Sequence, residues 1–143
     1  MTGIKSATWT GLALLLAVAG CSDPAAKNPA PPAPLEGRWS GTEVENSRPI
    51  SIVFTNSDFA YFDADGKEIG GGTFIMNRSV RPMEMDLTFE RMPSPDLVGK
   101  VGQAIFELNG DELKIAAYEV GSDRRPTMIT NSPGLRIFVL KRE

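Results

Sequence analysis

The chain has 143 residues, of which 41% are hydrophobic and 23% charged, a composition typical of one globular domain. It has no histidine and one cysteine, which excludes a Ser-His-Asp triad, a Cys-His pair, a zinc site that needs His or several Cys ligands, and an internal disulfide. The formal net charge of -3 argues against a nucleic-acid partner, and we expect no cofactor.

Residues 1–20 are typical of a bacterial signal peptide. Lys5 supplies the positive start, and the apolar stretch 11–19 is too short to span a bilayer. The sequence Val18-Ala19-Gly20-Cys21 resembles the lipobox of bacterial lipoproteins, which predicts cleavage between Gly20 and Cys21 and acylation of the Cys21 thiol. Such an anchor would hold the protein on the cell membrane or outer membrane, with its domain outside the cytoplasm. The alternatives are an ordinary secretory signal that ends in cysteine and a cytosolic chain with an apolar start.

Residues 21–34 consist of the predicted lipidated cysteine and a tether rich in proline and alanine. This composition favours extended polyproline II, which would give the thirteen residues 22–34 a reach of about 40 Å. A flexible tail without a spacing role is the alternative.

Residues 35–143 show the alternation of apolar and polar residues that predicts β-strands, most clearly at 83–90, "MEMDLTFE". Further strands are predicted at 38–45, 50–55, 59–62, 72–76, 103–108, 113–118 and 135–141. Turn residues between them include Asn56-Ser57-Asp58, Asp65-Gly66, Asn109-Gly110-Asp111 and Ser132-Pro133-Gly134. Segments 93–100 and 121–126 are expected to be exposed loops. About eight strands with short connections predict an all-β, antiparallel, up-and-down barrel or sandwich.

Several segments of this region, in order, resemble the planctomycete-type uncharacterised domain, a lipocalin-like family of secreted and lipid-anchored bacterial proteins. They are LEGRW at 35–39, GTF at 72–74 with PMEMDL at 82–87, IFELNGDELKI at 105–115, RP at 125–126 and FVLKRE at 138–143. The chain departs from the family at Ala104, commonly glycine, and at Ala116, often cysteine. The resemblance implies a lipocalin-like barrel of about eight strands and no established activity.

The resemblance also singles out Asp86 and Arg125, because an aspartate and an Arg-Pro pair recur there in the family. We expect these two side chains to form a structural ion pair that closes one end of the barrel.

Two acidic segments are candidates for functional sites. The sequence "DADGKE" at 63–68 does not match the calcium-loop template. The template requires an acidic residue at position 61 and a glutamate at position 72, where this chain has Tyr61 and Gly72. The segment therefore predicts a hairpin turn. Glu84, Asp86 and Glu90 share one strand face, an arrangement that permits acid and base catalysis but is more typical of a solvated surface.

Six large side chains are candidates for the interior: Trp39, Phe54, Tyr61, Phe74, Met85 and Phe106. They would either fill the core or line a pocket for one small molecule. We therefore expect a non-enzymatic binding domain for a small apolar ligand or an envelope partner. The alternatives are a purely structural envelope lipoprotein and, more remotely, an enzyme that uses carboxylates.

Overall fold

The computed structural model describes residues 35–143. The predicted signal peptide, the cleavage site at Gly20 and Cys21, the lipidation of Cys21 and the tether lie outside the described residues. The strands in the described range are β1 (Gly37–Glu43), β2 (Arg48–Thr55), β3 (Asp58–Phe62), β4 (Glu68–Asn77), β5 (Met83–Arg91), β6 (Val101–Asn109), β7 (Glu112–Ala117) and β8 (Arg136–Arg142). One 3-10 helix, Pro95–Leu97, lies between β5 and β6.

Each strand pairs antiparallel with its neighbours in chain order, and β8 pairs with β1. The predicted all-β, up-and-down antiparallel barrel of eight strands is confirmed. Residues 35–143 form one compact unit, with every strand paired on both sides and a hydrophobic core of its own. Because the segment contains its whole core and its whole strand network, we expect it to fold as an independent domain.

Two differences from the predicted elements have simple causes. Strand β4 begins at Glu68, whereas the sequence pattern predicts a start at residue 72. The predicted start is too late because Gly70, Gly71 and Gly72 have no side chains that could show alternation. The connection between β7 and β8 runs from 118 to 135 and is not all exposed: Pro126 and Leu135 are buried.

The six candidate interior residues all lie on the inner face. Each of them lies opposite another inward residue of a neighbouring strand. The pairs are Trp39 with Ile52, Tyr61 with Ile52, Phe54 with Phe59, Phe74 with Leu87, Met85 with Ala104 and Phe106 with Met83. Five of the six are buried, and Tyr61 is half-buried. Phe54 and Phe74 pack edge to face with their ring centroids 5.0 Å apart.

Along β8 and the residue before it, Leu135, Ile137 and Val139 share one face by alternation. The residues that point into the barrel are Phe138 and Leu140, on the other face. Leu135 and Ile137 belong to a second cluster outside the barrel, where residues of the 118–135 connection cover the sheet. Because this strand is covered on both faces, alternation alone does not identify its inner side.

We call the end of the barrel at which the chain enters the closed end, because the buried side chain of Leu35 joins the core there. Here the chain enters at Leu35, which is 3% exposed and whose carbonyl oxygen accepts a hydrogen bond from Trp39 Nε1 at 2.8 Å. The guanidinium of Arg142 lies 4.2 Å from the centroid of the Trp39 ring. The opposite end, the loop end, carries the connections β1–β2, β3–β4, β5–β6 and β7–β8.

Candidate functional site

The loop end of the barrel contains a cavity of about 430 Å³. Its wall is mostly apolar and comes from strands β2 to β8 and from the two long connections. The lining residues are Arg48, Ile52, Phe54, Phe59, Tyr61, Ile69, Leu87, Phe89, Met92, Pro93, Ser94, Leu97, Gly102, Ile115, Ala117, Tyr118, Val120, Arg136 and Phe138. Pro93 and Ser94 are exposed, so the cavity reaches solvent at this end.

The cavity exists because inward side chains are small on one side of the loop end. Gly102 on β6 and Ala117 on β7 occupy inward positions there. Tyr61, Leu87 and Ala117 point inward and yet are only partly buried, since they border the open space.

The six candidate interior residues are therefore divided between two regions. Phe54 and Tyr61 line the cavity. The other four, Trp39, Phe74, Met85 and Phe106, are absent from its wall and belong to the packed core.

A buried carboxylate, Glu43, lies at the loop end and is bound by two arginines. Nε of Arg136 donates to its Oε1 at 2.7 Å, and Nη2 of Arg48 donates to its Oε2 at 3.1 Å. The side-chain amide of Asn46, in the β1–β2 turn, also donates to Oε2 at 3.2 Å. Glu43, Arg48 and Arg136 form what we call the Glu43 cluster, and its two arginines belong to the cavity wall.

The arginines keep Glu43 ionised. The pKa of Glu43 is lowered from 4.5 to about 2, and the hydrogen bond from Arg136 is the largest cause. Burial raises this pKa, but the hydrogen bonds from Arg48 and Asn46 and the charge of Arg136 also lower it, so the net shift is downward. The bond to Glu43 in turn raises the pKa of Arg136. The cluster therefore carries two positive charges and one negative charge at neutral pH. A carboxyl group this acidic is a poor proton donor or acceptor near neutral pH.

Arg136 also connects the cluster to the aromatic wall. Its Nη2 donates to the hydroxyl of Tyr61 over 3.4 Å, and its guanidinium lies 5.4 Å from the centroid of Phe138. These contacts fix the guanidinium plane at the border between the polar cluster and the apolar cavity.

Sequence reasoning did not single out the Glu43 cluster, although a signal was present. The Arg48-Pro49 pair by itself indicates only the start of a strand, and Glu43 is polar in a pattern that is identified by its apolar residues. Counting in steps of two from Trp39 and from Ile50 places Glu43 and Arg48 on the inner face. A charged residue at an inward strand position is a departure that marks a site.

Asp86 and Arg125 are in contact, but on the outer wall of the barrel instead of at an end. Nη2 of Arg125 lies 2.5 Å from Oδ1 of Asp86, and its Nε lies 3.8 Å from Oε2 of Glu84. Nη1 donates to the carbonyl of Ala104 at 2.9 Å. Asp86 faces outward because it alternates with the inward Met85, so the pair fastens the 118–135 connection to β5 and β6. Glu90 is exposed on the same outer face, and none of these carboxylates lines the cavity.

Residues 63–67 form the turn between β3 and β4, and Glu68 begins β4. Oδ1 of Asp63 accepts hydrogen bonds from the backbone N–H groups of Asp65 and Lys67, each at 2.9 Å, and Gly66 has a φ of 82°. No group of three or more His, Cys, Asp or Glu residues within 35–143 is placed to hold a metal ion.

Comparisons with known proteins found no match to this chain among family models, curated proteins or solved structures. The resemblance to the planctomycete-type domain accordingly stays a prediction. No helix within the described part of the chain is long and apolar enough to cross a membrane.

Proposed function

We propose that the barrel is a non-enzymatic binding domain that takes a small apolar or amphipathic molecule into the cavity at its loop end. In this proposal the protein belongs to the bacterial envelope and is anchored by lipid on Cys21, with the barrel outside the cytoplasm. The observation that carries the proposal is the cavity of about 430 Å³. Pockets for small molecules typically measure about 300–1,000 Å³, and a barrel of eight strands has room for one such ligand.

The chemistry of the wall supports binding in preference to catalysis. Aromatic and aliphatic side chains dominate, and no aspartate or glutamate occurs among the described residues that line the cavity. The buried Glu43 is engaged by two arginines and stays ionised. A paired carboxylate mechanism would need two acids at one cleft, whereas Glu84 and Asp86 lie on the outer wall with Arg125.

The position of the chain entry is compatible with an anchored binding protein. Leu35, where the predicted tether meets the barrel, lies at the closed end, and the cavity opens at the loop end. A purely structural lipoprotein would have no need of such an opening, since a packed interior is more stable than one with a cavity.

Native mass spectrometry of the segment 35–143, purified from a bacterial host, tests the proposal. We expect a small apolar molecule to be retained by the protein, or a neutral fluorescent apolar dye to bind with one-to-one stoichiometry. Ala117→Leu, which fills part of the cavity, should weaken binding. The matched control is Ala60→Leu, on the outer face of β3 opposite Val53, which should bind normally. Failure of the unmodified barrel to bind any apolar probe would refute the proposal.

A further inference from the structure

We infer that the ligand is a single-chain amphiphile with an anionic head group, and that Arg48 and Arg136 bind this head while the apolar chain occupies the cavity. This inference rests on the proposed function and names the class of molecule that the cavity takes. It is carried by the Glu43 cluster, which places two guanidinium groups on an otherwise mostly apolar wall.

The charge of the Glu43 cluster favours an anion. Two arginines face one carboxylate in the cluster, so one positive charge is not balanced within it. No acidic residue within the described chain lines the cavity itself. A charge next to an apolar, poorly hydrated wall interacts more strongly with a partner than it would in open water. An anionic head would therefore be bound here, and a cationic head would be repelled.

The two guanidinium groups also keep donors available. Glu43 uses Nε of Arg136 and Nη2 of Arg48, and Tyr61 accepts from Nη2 of Arg136. Within residues 35–143, Nη1 of Arg136 and both Nε and Nη1 of Arg48 donate to no acceptor at hydrogen-bond distance. The side chains of Arg48 and Arg136 are 52% and 32% exposed, so these N–H groups are accessible. Guanidinium groups are well suited to carboxylate and phosphate because their parallel N–H bonds match two oxygens.

Glu43 acts as a positioning residue for this site. By binding both arginines, it holds their long side chains at the cavity border before any ligand arrives. Side chains that are already ordered lose less conformational entropy on binding, which raises affinity.

The size and the lining of the cavity indicate what the apolar part of the ligand is. From the arginines the wall continues inward past Phe54, Phe59 and Ile115, which offer only apolar atoms to a ligand. A volume of about 430 Å³ lies toward the small end of the range for ligand pockets, which suits one alkyl chain. A fatty acid is the simplest molecule that combines such a chain with an anionic head.

The test compares three probes of equal chain length on the segment 35–143: dodecanoate, dodecan-1-ol and dodecyltrimethylammonium. Affinities are measured by displacement of a neutral fluorescent dye, below the concentration at which the probes form micelles. We expect dodecanoate to bind at least about tenfold more tightly than the alcohol, and the cation to bind most weakly.

Two variants locate the effect. Arg48→Gln removes one positive charge while Arg136 and Asn46 still bind Glu43, so the fold is retained. It should reduce the preference for dodecanoate over the alcohol to about threefold or less. The control, Arg38→Gln, removes an arginine of similar exposure that pairs with Glu143 outside the cavity, and it should keep the preference for dodecanoate.

Each other outcome has a definite meaning. Equal binding of the three probes, or tighter binding of the cation, would overturn the inference and leave the proposed function standing. A preference for dodecanoate that Arg48→Gln does not reduce would overturn the assignment to this cluster. Absence of binding by all three probes and by the dye would overturn the proposed function itself.

Discussion

Nε of Arg136 lies 2.7 Å from Oε1 of Glu43, although the two residues are 93 positions apart in the chain. Arg136 begins β8 and Glu43 ends β1, the two strands whose pairing closes the barrel. Burial of a lone carboxylate would be strongly unfavourable, and this ion pair compensates for it. The contact between Arg136 and Glu43 therefore stabilises the pairing of β8 with β1 and also holds the Arg136 guanidinium at the cavity.

The stability of the barrel should depend on pH through Glu43. Its pKa is about 2 in the folded protein and 4.5 as an ordinary glutamate, so its ionised form stabilises the fold above pH 4.5. This contribution is lost as the pH falls from 4.5 to about 2. The difference corresponds to about 3 kcal/mol. Urea unfolding should show that Glu43→Gln is less stable than the wild type by roughly this amount at pH 7, and that the gap narrows toward pH 2.

The matched control for this pH dependence is Glu119→Gln, which changes an exposed glutamate in the β7–β8 connection. Its free energy of unfolding should stay within about 0.5 kcal/mol of the wild type at each pH. A gap between wild type and Glu43→Gln that is the same at pH 7 and near pH 2 would contradict the role given to the ionised carboxylate.

Removal of Arg136 alone should lower the free energy of unfolding more than removal of both Arg136 and the charge of Glu43. Arg136→Met leaves Glu43 buried without its shortest hydrogen bond, and we expect a loss of about 3–5 kcal/mol at pH 7. The double variant Glu43→Gln with Arg136→Met should recover part of this loss, because no uncompensated buried charge remains. A double-mutant cycle measured by chemical denaturation gives the coupling. Additive effects of the two changes would show that the pair does not stabilise the barrel.

The barrel could be predicted from the sequence because its main signals are local. Alternation at 83–90 and turn residues such as Asn109-Gly110 report directly on strands and hairpins. The inward positions of Glu43 and Arg48 follow the same alternation. The sequence pattern does not reveal them, because charged residues are expected on the outer face. Arg136 contacts Glu43 only because β8 pairs with β1. This pairing joins the first and the last strand of the domain, and no local sequence pattern predicts it.

The ion pair between Asp86 and Arg125 should stabilise the barrel moderately. The Asp86 side chain is 44% exposed, so Asp86→Asn should cost no more than about 1 kcal/mol and lower the Tm by a few degrees. Arg125→Gln should cost more, because Nη1 of Arg125 also binds the carbonyl of Ala104. Arg125→Gln should also expose the 118–135 connection to proteases. Thermal melts that show no change for either variant would exclude a structural role for the pair.

Two glycines on the inner face should respond very differently to alanine. A Cβ atom on Gly72 of β4 would overlap the carbonyl oxygen of Thr88, and backbone atoms of a paired strand cannot move aside without breaking the sheet. A Cβ on Gly102 of β6 would lie 3.3 Å from the ring edge of Phe89, next to the cavity. We expect Gly72→Ala to destabilise the barrel by about 2 kcal/mol or more and Gly102→Ala by less than about 1 kcal/mol. Chemical denaturation measures both, and equal losses would show that the tight contact at Gly72 does not limit the fold.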